Sequence, residues 1–240
     1  MGSVLILGAT SSIARACAEV FASRGHGLYL AGRDLFELGR LAKDLQIRFK
    51  TRVEYSFFDI TQLQSHASFF DEVLSRAGGI AGVLMAVGLL DKKCSPLELI
   101  LANFAGPVSI LGVCADYFAA NKKGFIVGFS SVAGDRGRRS NYIYGASKSG
   151  LTTYLQGLRS SLYPYHVRVL TVKLGLIDTK MTFGANYPLF LAANPQKTGL
   201  KIIRALDNGK ESVYVPMIWR IVMLVVRLIP ERIFKRLKMQ

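Results

Sequence analysis

Short apolar runs recur along the chain at 4–7, 27–31, 53–58, 82–86, 124–129, 167–172 and 212–215, each about the length of a strand. Between them the apolar positions repeat with the helical period. The first such segment carries Ile13, Cys17, Val20 and Phe21 on one stripe, and others cover 35–47, 62–76, 96–120, 142–163 and 196–206. Asp207-Asn208-Gly209 reads as a turn before the last strand. Strands alternating with helices, joined by short turns, predict a parallel, doubly wound α/β sheet over residues 1–215. The stretch 183–194 has no clear period, and no repeat or second domain is evident.

After Pro216 the pattern changes. Residues 217–229 are apolar except for Arg220 and Arg227, which fall seven apart on one edge of a helix. Such a segment is too short to span a bilayer, which takes ~20 residues. Pro230 ends it, and 231–238 sets Arg232, Lys235, Arg236 and Lys238 against Ile233, Phe234 and Leu237. Residues 216–240 therefore form a basic amphipathic tail of two helices. It is expected either to lie in a membrane interface or to dock on the protein body.

At 240 residues, half of them apolar, the chain buries one large core and is not disordered. Its 31 basic against 16 acidic residues give a net charge of +15, which favours anionic partners. With no nucleic-acid motif, a membrane or a phosphorylated substrate fits best. Cys17, Cys94 and Cys114 are widely spaced and read as buried small hydrophobes in a reducing compartment. His26, His66 and His166 are scattered, so no metal site is expected. The opening MGSVLILGATSS lacks a basic segment before its apolar run and reads as a first strand rather than a signal peptide, which points to the cytoplasm.

Two stretches carry chemistry. The first strand runs into Gly8-Ala9-Thr10-Ser11-Ser12-Ile13-Ala14, a turn opening a helix, with Ser12 as the expected cap. Backbone amides and the helix dipole there suit a dinucleotide pyrophosphate. The second is FSSVAGDRGRRSNYIYGASKSGL, residues 129–151. If Tyr144 opens a helix, Lys148 lies on the same face one turn on. A phenol with a pKa near ~10 needs ~4 kcal/mol of preferential phenolate stabilisation to reach ~7. A lysine cation and a dry pocket are the expected sources.

Together these residues resemble the short-chain dehydrogenase/reductase family over roughly the first 215 residues, and the resemblance implies a Rossmann-type sheet. It implies that Ser131 fixes a carbonyl oxygen, Tyr144 gives it a proton, Lys148 lowers the phenol pKa and holds a ribose, and Asn103 holds a water in the proton relay. For the cofactor it implies Gly8, Thr10, Ser11, Ser12 and Ile13 at the pyrophosphate, Asp59 and Ile60 at the adenine, Ala86 and Gly88 in the next turn, and Tyr144 and Lys148 again. Ile177 and Thr179 would meet the nicotinamide, in a segment where Leu174 replaces the family's proline. Gly32 stands where an NAD enzyme carries a carboxylate and Arg33 follows it, which favours NADPH over NADH. The stretch 183–194 corresponds to a substrate lid, and helices 96–120 and 142–163 to a homodimer or homotetramer interface.

Within that family, 129–151, the Val87-Gly88-Leu89-Leu90 turn and the tail are similar to reductases of decaprenylphosphoryl 2-keto-pentose. This narrower resemblance implies a polyprenylphosphoryl 2-keto-pentose substrate, made by a flavin-dependent oxidase partner and reduced with inversion, so that ribose becomes arabinose. Arg136, Arg138 and Arg139 are then candidates for the substrate phosphate. The alternatives are a reductase of another lipid ketone, of oxoacyl or sphingoid type, and a non-catalytic dinucleotide sensor.

Overall fold

The computed structural model describes residues 2–91, 93–179 and 192–237. Seven strands, β1 (Ser3–Leu7), β2 (Leu28–Gly32), β3 (Val53–Phe57), β4 (Ile80–Met85), β5 (Gly124–Ser131), β6 (Val167–Leu174) and β7 (Ser212–Val215), form one sheet in the order β3-β2-β1-β4-β5-β6-β7. Every neighbouring pair is parallel, as the alternation of elements predicts. Strand side chains point alternately to the two faces. Val4 and Ile6 face Phe21 of α1 (Ser12–Ser23), Leu41 of α2 (Leu35–Phe49) and Ile202 of α7 (Pro195–Asp207). Leu5 and Leu7 face Phe70 of α3 (His66–Ala77), Leu111 of α5 (Gly106–Asn121) and Leu155 of α6 (Tyr142–Leu162). Both faces are covered at the centre of the sheet, which is why β1 is buried along its whole length, whereas the edge strand β3 carries Glu54 and Ser56.

The helix starts follow local chemistry. Ser11, still extended, caps α1 by accepting the Ala14 N–H at 3.3 Å. The expected cap, Ser12, is instead the first helical residue. Ser95 and Glu98 form a reciprocal capping box ahead of α4 (Pro96–Ile100), with Pro96 in the first turn where its missing N–H costs nothing.

The long helix expected over 96–120 is interrupted. Between α4 and α5, Leu101–Ala105 is π-helical, and the Gly106 N–H bonds Leu101 O five residues back. Gly106 sits hard against the Ile60 carbonyl, where a side chain has no room. The whole run Pro96–Asn121 is long and apolar enough to cross a bilayer. Its α5 part nevertheless buries Ile110, Leu111, Cys114 and Phe118 completely against the sheet.

The tail forms α8 (Ile218–Leu228) and α9 (Glu231–Phe234), the second ending well short of residue 238. Met223, Val226 and Phe234 pack on Val132, with Tyr214, Trp219 and Ile229 around them. The tail docks on the body through one side only. Most of the expected lid, 183–191, and Lys238 lie outside the described residues.

Candidate active site

The carboxyl ends of β1, β4, β5 and β6 converge, and ligands of open parallel sheets bind at such an edge, where the strand order reverses between β1 and β4. Gly8 leaves β1 with φ +78°, and a Cβ there would sit 3.0 Å from Ala86 C and Val87 N. Only glycine fits both the angle and the approach. The Gly8 and Ala9 amides both bond Ala31 O, at 2.9 and 3.1 Å, which holds the turn under the start of α1. Thr10, Ser11, Ser12 and Ile13 then lead into first-turn amides that no helical carbonyl satisfies. This bare turn at a helix start fits a dinucleotide pyrophosphate.

The remaining predicted cofactor residues line the same edge. Asp59 Oδ1 accepts from the Thr61 amide at 3.0 Å and its hydroxyl at 2.8 Å, fixing the turn after β3, and Ile60 is buried beside it. Arg33 is exposed just beyond β2. Ala86 bonds Leu7 O at 2.9 Å and leads to Gly88. Ile177 is buried and bridges to Ala193, two residues before Thr179.

Ser131, Tyr144 and Lys148 are brought together. Ser131 ends β5, where its hydroxyl accepts the Ala133 amide at 3.1 Å and donates to Leu174 O at 3.3 Å. Tyr144 is buried in the first turn of α6, close enough to Ser131 for that hydroxyl to pull its pKa down. Lys148, 2% exposed, donates to Phe129 O at 3.1 Å, with its Nζ 5.8 Å from the Tyr144 ring centroid. The α6 helix is fastened to the β5 turn by Ser130, whose hydroxyl bonds Lys148 O at 3.0 Å and Thr152 Oγ1 at 2.6 Å. Close approach does the rest. A Cβ on Gly134 would come 2.7 Å from Ser149 N, and one on Gly145 2.9 Å from Ala133 O.

The electrostatics invert one expectation. Burial pushes the Tyr144 phenol above its ordinary value, against smaller downward pulls from the Ser131 bond and the Arg138 charge. Burial also brings Lys148 down to about 8. A dry pocket disfavours both charges, so dryness opposes the phenolate instead of helping it.

Asn103, on the π-helical turn, is fully buried, and its amide is committed to backbone. It accepts from Leu89 N at 3.0 Å and donates to Leu89 O at 2.7 Å and Leu99 O at 2.9 Å. The side chain clamps the loop after β4.

The arginine cluster separates into three environments. Arg136 turns away from the site: Nη1 reaches the carbonyls of Val226, Arg227 and Ile229 at 3.5, 3.1 and 3.0 Å, and Nη2 bonds Glu231 at 2.7 Å. It caps the end of α8 and is spent there, contrary to the phosphate role expected of it. Arg138 is half-buried near Tyr144, and Arg139 is exposed. Among the cysteines, Cys17 and Cys114 are buried as expected, but Cys94 is partly exposed.

Two features had no signal in the sequence. Asp135, four residues past Ser131, forms a half-buried network with Lys173 Nζ at 2.5 Å and the Tyr214 hydroxyl at 2.7 Å. Trp219 of α8 lies directly on Gly175, at the start of the segment holding Ile177 and Thr179. Polar residues far apart in sequence and an aromatic in a tail carry no local pattern, so only the fold reveals them.

The short-chain dehydrogenase family profile matches residues 3–187. The chain belongs to the short-chain dehydrogenase family. It is an oxidoreductase. An uncharacterised oxidoreductase of Mycobacterium tuberculosis is 30% identical over 241 residues, covering 98% of this chain and 96% of its own length. Another, of Streptomyces coelicolor, is 33% identical over 243 residues, with coverages of 98% and 95%. The fold matches a short-chain dehydrogenase of Sphingobium yanoikuyae, solved with NADPH, at a TM-score of 0.79 and 24% identity over 96% of this chain and 97% of that one. A bulky-bulky ketone specific alcohol dehydrogenase of Comamonas testosteroni matches at 0.78 and 22% identity, covering 96% of each chain.

Proposed function

We propose that this short-chain dehydrogenase is an NADPH-dependent carbonyl reductase. The observation that carries the reading is a buried Tyr144 close to Ser131, with Lys148 behind it and Arg138 beside it. The bound dinucleotide supplies the hydride. Ser131, freed from its long bond to Leu174, donates to the substrate carbonyl oxygen, and Tyr144 delivers the proton as negative charge develops there. A phenol raised by burial is held protonated until that moment, which suits a proton donor. The Lys148 cation and the Arg138 charge then stabilise the phenolate left behind, and Lys148 would also hold the ribose of a bound dinucleotide. Solvent protons return past Lys148, with the Asn103 side chain fixing the loop wall.

Arg33, where a carboxylate is absent, supports a 2′-phosphate and hence NADPH, with NADH as the poorer donor. The neighbour solved with NADPH is consistent with this preference. For the substrate, the reading is a polyprenylphosphoryl 2-keto-pentose, supplied by a flavin-dependent oxidase partner and reduced by a homodimer or homotetramer peripheral to the inner face of a membrane. Arg138 beside Tyr144 and the exposed Arg139 support a phosphate near the reacting carbonyl. The engagement of Arg136 elsewhere favours, as a second reading, a lipid ketone without phosphate.

The test is NADPH and NADH oxidation by the pure protein on a detergent-solubilised polyprenylphosphoryl 2-keto-pentose, with oxoacyl and sphingoid ketones alongside. Turnover confined to the sugar lipid, and reduced by Arg138→Ala, is expected. Turnover confined to the simpler ketones selects the second reading. Cofactor binding without any turnover would leave a dinucleotide sensor.

A further inference from the structure

We propose that the outer face of α8 is a docking surface for an anionic lipid bilayer. Met217, Ile221, Leu224 and Leu228 form one stripe and Ile218, Val222 and Val225 the next, and all seven are exposed. Leu228 is 75% exposed, Ile221 62% and Leu224 60%, on a helix whose other side, Met223 and Val226, is buried against Val132. A contiguous apolar face of this kind on one helix marks an interaction site, unlike scattered single residues. Beyond Pro230, Ile233 and Leu237 are exposed as well.

The charges select the occupant. Arg220, Arg227, Arg232, Lys235 and Arg236 are all exposed around this face. Glu231 is the single acid among residues 217–237, and Arg136 already holds it. A second copy packed through the same face would bring two identical basic surfaces together, because a two-fold interface is self-complementary. An anionic bilayer satisfies both features at once, taking the apolar stripe at the acyl boundary and the cations at the headgroups.

The placement deepens the proposed function, on which it rests only for what the site then meets. The α8 helix leaves the sheet at the carboxyl end of β7, the edge that carries the site. Its back contacts Val132, next to Ser131, and its Trp219 covers Gly175. A bilayer on the outer face therefore lies beside the rim of the reaction centre, where a lipid-borne carbonyl arrives without crossing water.

The full-length protein is floated with phosphatidylcholine vesicles and with vesicles also containing phosphatidylglycerol. Binding to the anionic vesicles is expected, at least roughly tenfold weaker on phosphatidylcholine alone and likewise for the Leu224→Glu/Leu228→Glu protein. Arg220→Glu/Arg227→Glu, which leaves the apolar stripe intact, should weaken it in the same direction. Fluorescence-detected NADPH binding by each variant, unchanged from the parent, verifies folding without reference to turnover. Absence of vesicle binding by the parent protein, or equal binding by Leu224→Glu/Leu228→Glu, overturns the proposal. So does a dimer, seen by light scattering, that these substitutions dissolve in the absence of vesicle binding. Vesicle binding by a protein inactive on every ketone would uphold the docking surface while the reductase reading fails.

Discussion

The Arg136 guanidinium lies 4.3 Å from the Phe234 ring centroid, joining the loop between Ser131 and Tyr144 to α9. Cation–π attraction, three backbone carbonyls and Glu231 converge on one side chain. Next to it, Asp135 ties the same loop to β6 and β7 through Lys173 and Tyr214. The tail is thereby part of the framework that presents Arg138 and Tyr144.

Arg136→Ala should undock α8 and α9, since it strips several charge-assisted bonds at once. A loss of about 2–4 kcal/mol in unfolding free energy is expected. Glu231→Gln should cost less than about 1 kcal/mol, because that carboxylate is 75% exposed and well screened. Urea denaturation of the two proteins checks the contrast.

Lys148→Met should stabilise the protein near neutrality while abolishing turnover. Burial lowers the folded-state pKa from 10.5 to about 8, so between those values the unfolded chain holds a proton that the folded one has released. Stability therefore rises with pH across that window, and below it the buried cation carries its whole desolvation cost. Relative to the parent, the variant should gain up to about 3 kcal/mol at pH 7, less the lost bond to Phe129. The gap should close between pH 8 and pH 10.5 in thermal melts.

Asn103→Ala removes three bonds from a fully buried position, leaving the Leu89 amide and carbonyl without their partner. A cost of about 2–5 kcal/mol is expected, with KM for the dinucleotide rising more than kcat falls. Asn103→Asp should not rescue it, because a carboxylate cannot donate to Leu89 O and Leu99 O. Steady-state kinetics with calorimetry separates this loop-clamping role from one in the proton relay.

Arg33→Ala should raise KM for NADPH by roughly 10–100-fold, about 1.4–2.7 kcal/mol of lost phosphate contact, with little change for NADH. Parallel kinetics with both nucleotides reads the ratio.

The sheet was legible because short strand-length apolar runs alternate with helices that keep their period. Ser131, Tyr144 and Lys148 were legible because their spacing is local. Three things were not. The π-helical turn at Asn103 depends on Gly106 meeting Ile60, a contact between distant segments. The helix cap moved from Ser12 to Ser11 because either serine can accept the bond and only the backbone angle decides. Arg136 read as a phosphate ligand because composition shows a guanidinium without showing what it faces.

Transfer of label from NADPH carrying deuterium at both nicotinamide C4 positions to the product alcohol tests the central claim most directly. Mass spectrometry should find one deuterium on the former carbonyl carbon, with the rate in Tyr144→Phe lowered by roughly 10²–10⁴-fold and nucleotide binding retained. An unlabelled product, or a Tyr144→Phe protein turning over at the parental rate, would contradict reduction through this centre.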